Sequence, residues 1–192
     1  CQMYRLRDPH IAGARSMGTV DFGLDEIVYA FFDHYMKGAD NGFPQQQPPV
    51  QYFSMGTNTW RTAAEWPPSV AQQMTLYLAS MEGANTLHGD GRLLTRAPSI
   101  AGADTFLYDP MNPVPTHGGN FCCLGSAETP GSFDQRPNEV RQDVLVFTSE
   151  PLESNLEVTG PIDVTLYVSS DARDTDFTVK LIDLAPDGTA WN

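Results

Sequence analysis

The sequence predicts a mainly β chain that carries one long helix near its start. Three patterns support this prediction: an apolar ladder at helical spacing over residues 24–36, only short apolar segments beyond residue 50, and alternating apolar and polar side chains within residues 156–184. Helical spacing is typical of an amphipathic helix, and strict alternation is typical of a half-buried strand. We therefore expect an antiparallel β domain from residue 50 to residue 192.

Length and composition are those of a globular chain with an acidic surface. The chain has 192 residues, of which 41% are hydrophobic, which is enough to build a core. Its 24 acidic residues outnumber the 11 basic ones, so the formal net charge at pH 7 is −13. Because this charge would repel a phosphate backbone, we expect no nucleic-acid partner. No apolar run approaches the roughly 20 residues that span a bilayer, and we expect no membrane partner.

The sequence at both ends suggests a piece of a longer protein. The chain begins with Cys1 rather than a methionine and has no apolar leader segment. Near the other end, the turn signal Asp187-Gly188 precedes residues 189–191, which resemble the beginning of a further strand. We therefore expect the 192 residues to be an internal part of a longer chain.

The strongest helical pattern begins at Leu24. Asp25 and Glu26 in the first turn and Lys37 in the last suit the helix dipole, and Gly38 follows where a left-handed cap is favoured. The spacing predicts a helix over 24–37. Since residues 1–20 cannot supply a sheet to cover it, we expect its partner to precede Cys1. Its broad apolar face consists of Leu24, Ile27, Val28, Phe31, Phe32, Tyr35 and Met36.

A change in composition at residues 38–49 indicates a domain boundary. This stretch is rich in Pro, Gly and Gln, as domain linkers often are. The long irregular stretch at residues 109–131 suits the connections of a sandwich or jelly roll. Alternation after the boundary predicts a hairpin of residues 162–168 and 177–182, covered on both faces. Further strands are predicted at residues 50–53, 74–78, 105–108 and 144–148.

Catalytic motifs are scarce in this sequence. Ser16 lies between Gly13 and Gly18 but lacks the spacing of a Gly-x-Ser-x-Gly nucleophile elbow. His10 is the one candidate general base, although a loop histidine is more often simply a solvated polar residue. Apart from His10 we expect no catalytic residue, and we expect no cofactor.

Metal-binding patterns are also missing. Cys1, Cys122 and Cys123 form no Cys-x-x-Cys pair. The adjacent Cys122 and Cys123 leave two alternatives, a strained vicinal disulfide with a redox role or two thiols packed in a loop, and the demanding geometry of disulfides favours the thiols. An acidic run within residues 171–176 lacks the alternating spacing of an EF-hand, so we interpret it as turn chemistry. We therefore expect no bound metal.

A series of motifs runs through the chain in order. Together they resemble the C-terminal portion of the cocaine esterase and α-amino acid ester hydrolase family, which is related to X-Pro dipeptidyl peptidases. The likeness covers nearly the whole chain. The motifs include Leu24-Asp-Glu-Ile-Val-Tyr-Ala-Phe-Phe-Asp33, Val50-Gln-Tyr-Phe-Ser-Met-Gly56, Trp60-Arg61, Trp66-Pro67-Pro68, Tyr108-Asp109-Pro110, Asp134-Gln135-Arg136, Asp143-Val-Leu-Val-Phe-Thr-Ser-Glu-Pro-Leu152 and Asp174-Thr-Asp-Phe177.

This resemblance implies a serine hydrolase with a Ser-His-Asp triad. Residues 1–42 would be the C-terminal end of an α/β-hydrolase catalytic domain that includes its last helix. Residues 43–192 would be an incomplete C-terminal jelly-roll β-sandwich, galactose-binding-like, of the X-Pro dipeptidyl-peptidase type. The triad Ser and Asp would lie upstream. Because Gly13-Ala-Arg-Ser16 stands at the family's distance from Cys1, the triad His would immediately precede Cys1.

The same resemblance implies what the chain acts with. Its partners would be the upstream α/β-hydrolase domain of the same full-length chain and a small ester or amide substrate, such as an acyl or aminoacyl ester or an X-Pro dipeptide. The piece alone would be inactive. With its apolar helix face and strand edges uncovered, we also expect it to self-associate as a homo-oligomer or aggregate.

A stand-alone β-sandwich that binds a carbohydrate or another ligand is the alternative function. Under this interpretation Trp60 and Trp66 would be platforms on which sugar rings stack, although a tryptophan in a β domain is more often packed in the core. A free binding module has no use for a preceding amphipathic helix without a partner. The helix therefore favours the hydrolase.

Overall fold

The computed structural model describes residues 10–20, 23–100, 102–120 and 130–192. Our predictions for Cys1, Cys122 and Cys123 lie outside these residues. The chain divides into one unit of residues 1–71 and 157–162 and a second unit of residues 72–156 and 163–192. The elements are β1 (His10–Ala12), β2 (Arg15–Gly18), α1 (Leu24–Lys37), β3 (Val50–Ser54), β4 (Thr59–Ala63), β5 (Tyr77–Ala79), β6 (Arg92–Leu94), α2 (Arg136–Glu139), β7 (Asp183–Leu184) and β8 (Ala190–Trp191).

Helix α1 has the predicted bounds. Gly38 takes the left-handed conformation with φ of 68°, and its N–H donates to the His34 carbonyl at 3.1 Å. The next N–H, from Ala39, donates to the Asp33 carbonyl at 3.0 Å, so two terminal carbonyls of the helix are satisfied. No residue of α1 is buried. Its aromatic side chains instead contact one another and Phe43, with ring centroids 5.7 Å apart for Phe31 and Phe43.

In the first unit, β3 and β4 form an antiparallel hairpin. Its register runs from Val50 opposite Ala63 to Ser54 opposite Thr59, which confirms the strand predicted at residues 50–53. Across the hairpin, Phe53 and Trp60 pack with ring centroids 5.3 Å apart. The core of this unit also contains Met17 and Val20, which are buried.

In the second unit, two short antiparallel pairs join β5 to β6 and β7 to β8. The strand predicted at residues 74–78 begins later, at Tyr77. Asp104, which follows β6 in sequence, holds the segment between β5 and β6: its carboxylate accepts hydrogen bonds from the Ser80 hydroxyl at 2.5 Å and the Ala84 N–H at 2.8 Å. Ala84 is completely buried in this segment.

Four predicted strands are wrong. Residues 105–108 and 162–168 form no strand, residues 177–182 form none, and residues 144–148 make only single bridges, from Leu145 to Asn85 and from Thr148 to Arg92. Alternation defines which side chains share a face, but a strand also needs a neighbour for its backbone hydrogen bonds and a layer over its apolar face. Residues 144–148 do have backbone partners, since the Thr86 N–H donates to the Val144 carbonyl and the Val146 N–H to the Ala84 carbonyl, but these bonds form no continuous ladder. The other three segments have no strand partner among the described residues, and Ile162, Val164, Val168, Phe177, Val179 and Leu181 stay exposed.

The remaining fold predictions are confirmed in part. After residue 50 the three pairs of named strands in the described ranges are antiparallel, whereas the single bridge from Thr148 to Arg92 is parallel. Apart from α1, the helical structure described is the four-residue α2. The chain is thus mainly β with few helices, whereas the jelly-roll arrangement stays a prediction. No helix in the described part of the chain combines the length and apolar character required to cross a membrane.

Candidate functional site

The two catalytic candidates lie in the short β1–β2 pair. His10 is half-buried and lies opposite Gly18, whereas Ser16 is exposed and lies opposite Ile11. Within the described residues, no hydrogen bond joins their side chains and no carboxylate is bonded to the imidazole. A serine nucleophile needs an adjacent base and a group that orients the base. The structure brings these two residues to one sheet without forming that arrangement, and the role of His10 stays a prediction.

The buried Gln135 side chain connects several segments of the second unit. Gln135 is 2% exposed, and its amide Nε2 donates to the His117 carbonyl at 2.8 Å and to the Phe133 carbonyl at 3.2 Å. Its Oε1 accepts from Lys180 Nζ at 2.8 Å. The backbone N–H of Gln135 donates to the Ala190 carbonyl at 2.8 Å. We call Gln135 and these four partners the Gln135 cluster.

Lys180 brings a positive charge to this cluster. Its ammonium group donates to the neutral amide of Gln135, and partial burial lowers the pKa of Lys180. Lys180 is otherwise exposed, so its methylene chain lies on the surface while its ammonium group is directed toward the buried Gln135. The interaction fixes the amide orientation of Gln135, because only Oε1 can accept from an ammonium group.

Asp134 and Arg136, the two sequence neighbours of Gln135, form an ion pair with each other. Arg136 Nε donates to both carboxylate oxygens, at 2.9 and 2.8 Å, and its terminal nitrogen lies 2.5 Å from Oδ2. The Ala190 N–H donates to the same carboxylate at 3.1 Å. The hydrogen bonds from Arg136 are the main reason that the pKa of Asp134 falls from 3.8 to about 2. Strand β8 is therefore held by a charged group as well as by Gln135.

Two glycine segments lie next to the Gln135 cluster. Gly119 and Gly131 exchange backbone hydrogen bonds of 2.7 and 2.9 Å. Gly118 has φ of 67°, and a Cβ atom there would lie 2.4 Å from the Gly131 carbonyl oxygen. Only glycine fits both the conformation and the space. The two segments also contact each other through the rings of His117 and Phe133, whose centroids are 4.9 Å apart.

A second ion pair, between Arg141 and Asp143, lines a groove of about 370 Å³. Arg141 donates to both oxygens of Asp143, at 2.7 and 2.6 Å, and to the Asn112 carbonyl at 2.6 Å. These side chains are mostly buried, and the Arg141 hydrogen bonds lower the pKa of Asp143. The N–H groups of the Arg141 guanidinium therefore already donate to acceptors of the protein, namely the Asp143 carboxylate and the Asn112 carbonyl. The arrangement is suited to holding the loop at Asn112 rather than to binding an anion.

A larger groove of about 530 Å³ lies beside β4 in the first unit, and we call it the β4 groove. Its walls include Tyr52, Arg61 and Pro68. Arg61 forms an ion pair with Glu157 at 3.0 Å, and the Tyr52 hydroxyl lies 3.5 Å from the same carboxylate. Trp60 also lines the groove, but its indole N–H donates to the Val20 carbonyl at 3.1 Å, so it is a packed residue rather than a free platform.

Metal ligands do not converge in the residues that the structure describes, where no group of three or more His, Cys, Asp or Glu side chains could hold an ion. In the acidic run at residues 171–176, the Ala172 N–H donates to the Ser170 hydroxyl at 3.1 Å. This hydrogen bond closes a local turn, in agreement with the turn chemistry expected there.

Sequence reasoning missed the role of Gln135 and Lys180. Asp134-Gln135-Arg136 was recognisable as a motif, but nothing in it shows that Gln135 is buried, Asp134 is half-buried and Arg136 is exposed. Alternation around Lys180 predicted a strand that covers Val179 and Leu181, but both stay exposed, and the pattern did not indicate that Lys180 bonds to Gln135. Taken together, the described polar clusters stabilise loops and supply no nucleophile with its base.

Comparison with known proteins gives one family and three relatives. A family model described as the X-Pro dipeptidyl-peptidase C-terminal non-catalytic domain matches residues 41–192. A cocaine esterase of a Rhodococcus species is 42% identical over 161 residues, which cover 84% of this chain and 28% of the relative. Proteins of Mycobacterium bovis and Mycobacterium tuberculosis, both named as serine esterases, are each 36% identical over 177 residues, or 91% of this chain and 26% of the relative. The chain therefore spans less than a third of the length of these relatives.

Proposed function

The chain belongs to the family of the X-Pro dipeptidyl-peptidase C-terminal non-catalytic domain, and we propose that it is the structural part of a serine hydrolase whose catalytic domain precedes it. The proposed hydrolase cleaves esters or amides, such as acyl or aminoacyl esters or X-Pro dipeptides, by a Ser-His-Asp mechanism. Residues 1–42 then complete an α/β-hydrolase domain, and residues 43–192 form the jelly roll. The family match, which begins at residue 41, supports a division near this point.

The observation that carries this proposal is the uncovered aromatic face of α1. Phe31, Phe32 and Tyr35 are 43, 52 and 58% exposed, although their spacing is that of a face that packs against another element. Burying the part of these three side chains that is still exposed would contribute about 1 kcal/mol each. A catalytic domain that packs on α1 would supply this burial.

The polar clusters support a non-catalytic role. Gln135, Asp134 and Arg141 use their hydrogen-bonding groups on backbone or on one another, as loop-stabilising residues do. Neither His10 nor Ser16 is bonded to a group that would activate it within the described residues. The reaction would therefore depend on residues of the catalytic domain.

A chimeric enzyme tests this function. In the Rhodococcus cocaine esterase, the segment that matches this chain is replaced by residues 1–192, and hydrolysis of cocaine is followed. We expect the chimera to hydrolyse cocaine with saturation kinetics, whereas the esterase with the segment deleted should not. Phe31→Asp in the chimera should lower its melting temperature and rate, and Ala30→Asp, on the opposite side of α1, should not. A chimera that melts cooperatively but is as inactive as the deletion variant would refute the proposal.

A further inference from the structure

We propose that the β4 groove binds a neutral saccharide. The groove has a volume of about 530 Å³, within the range of roughly 300–1,000 Å³ that is typical of small-molecule sites. Its wall combines aromatic, apolar and hydroxyl-bearing side chains, among them Tyr52, Pro68, Thr62 and Ser69. Such a mixed lining suits a ligand that has both apolar faces and many hydroxyl groups.

The ion pair beside the groove disfavours an ionic ligand. Arg61, the charged residue of the described lining, is paired with Glu157 at 3.0 Å. Glu157 also lies within hydrogen-bonding distance of the Tyr52 and Thr159 hydroxyls, at 3.5 and 3.2 Å. An anion would have to compete with Glu157 for Arg61, and a cation would have to compete with Arg61 for Glu157. A neutral hydroxyl can instead donate to the carboxylate and accept from the guanidinium without breaking the pair.

Trp66 supplies an exposed aromatic surface next to Tyr52, one of the residues that line the groove. Its ring packs edge-to-face on Tyr52, with centroids 5.8 Å apart, and the residue is 52% exposed. The C–H face of a pyranose ring can stack on such a surface while its hydroxyls meet the polar groups of the wall, since aromatic rings combine a large apolar area with defined geometry. Of the two tryptophans considered from the sequence, Trp66 therefore retains the platform role, whereas Trp60 is packed against Phe53.

Titration of the whole chain with neutral disaccharides tests this site. Maltose, cellobiose, xylobiose and lactose are added to the 192-residue protein, and binding is measured by calorimetry and by changes in tryptophan fluorescence. We expect one of them to bind in the millimolar range or tighter. Trp66→Ala should weaken that binding about tenfold, as expected when an aromatic contact is removed, whereas Trp66→Phe should retain most of it. Arg61→Met should weaken it by a similar factor.

Two matched variants control for general effects of these substitutions. Tyr167→Ala removes an aromatic side chain that is 99% exposed, and Arg173→Met removes an exposed arginine; neither should change the binding. Thermal unfolding of each variant shows whether it is folded. The proposal is overturned if no disaccharide binds, if binding is unaffected by both Trp66→Ala and Arg61→Met, or if the two control variants weaken it equally. Binding of a proline-rich peptide without any saccharide binding would also overturn it. Because these measurements use no ester substrate, their outcome is independent of the proposed hydrolase function.

Discussion

Gln135 shows how one buried amide ties separate segments of the chain together. If Gln135 is replaced by Leu, the carbonyls of His117 and Phe133 and the ammonium of Lys180 lose their partner. Leaving buried polar groups unpaired costs about 1–3 kcal/mol. We expect Gln135→Leu to lower the free energy of unfolding by about 2 kcal/mol in urea titrations. Gln73→Leu, at an exposed position of the same unit, should change it little; equal effects of the two variants would contradict the assigned role.

Gly118 combines a left-handed conformation with a close backbone approach. Gly188 has a similar positive φ of 86°, but a Cβ there would meet only the end of the Arg136 side chain at 3.5 Å. Alanine at either position would have to adopt the left-handed conformation, which destabilises the folded protein by about 1–2 kcal/mol. Gly118→Ala should destabilise by at least about 1 kcal/mol more than Gly188→Ala, because its Cβ would overlap the Gly131 carbonyl. Urea unfolding of both variants measures this difference, and equal values would show that residues 118 and 131 do not approach so closely.

Asp134 makes the stability of the second unit dependent on pH. Its pKa falls from 3.8 to about 2, so the folded state favours the carboxylate. The resulting stabilisation is present above pH 3.8 and is lost as the pH falls through about 2. Asp134→Asn should reduce the free energy of unfolding near neutral pH by about 1 kcal/mol. The variant should also lose less of its free energy of unfolding than the wild type as the pH falls from 3.8 to about 2. The measurement is urea unfolding across that pH range, with Asp163→Asn at an exposed position as the control. If the free energy of unfolding of Asp134→Asn depended on pH in the same way as that of the wild type, the assigned role of Asp134 would be contradicted.

At the scale of elements, α1 is the part of the fold that sequence predicts best. Its capping by Gly38, its charged ends and its ladder of apolar residues are local properties, and they fix a helix without reference to the rest of the chain. Residues 162–168 and 177–182 illustrate the opposite case. Their alternation is equally regular, but strand formation depends on a partner and on a covering layer that sequence pattern does not identify.

The apolar face of α1 predicts how the isolated chain behaves in solution. Its exposed Phe31, Phe32 and Tyr35 should drive self-association and bind a hydrophobic dye. Phe31→Asp should reduce both, because a charge in the centre of the face opposes its burial. Ala30→Asp places the same charge on the opposite side of the helix, and it should have little effect. Sedimentation and dye fluorescence check this, and a monodisperse wild-type monomer without dye binding would refute it.

At the scale of the whole molecule, sequence predicted the family and the mainly β character but not the internal contacts of the site. Family resemblance rests on several motifs in order, and it agrees with the match over residues 41–192. The partners of Gln135 come from residues 117, 133, 180 and 190, which are far apart in sequence. Hydrogen bonds between such distant positions leave no local pattern. The same limit applies to the ion pair of Arg61 with Glu157.

The central claim is that these 192 residues do not catalyse hydrolysis by themselves. The most direct test is the initial rate at which the purified chain hydrolyses a p-nitrophenyl acyl ester and an activated aminoacyl ester, measured beside His10→Ala and Ser16→Ala. We predict no saturable turnover by the chain and identical background rates for both variants, because the described residues provide no activated nucleophile. Saturable turnover that either substitution abolishes would contradict the account and would place a catalytic residue within this chain.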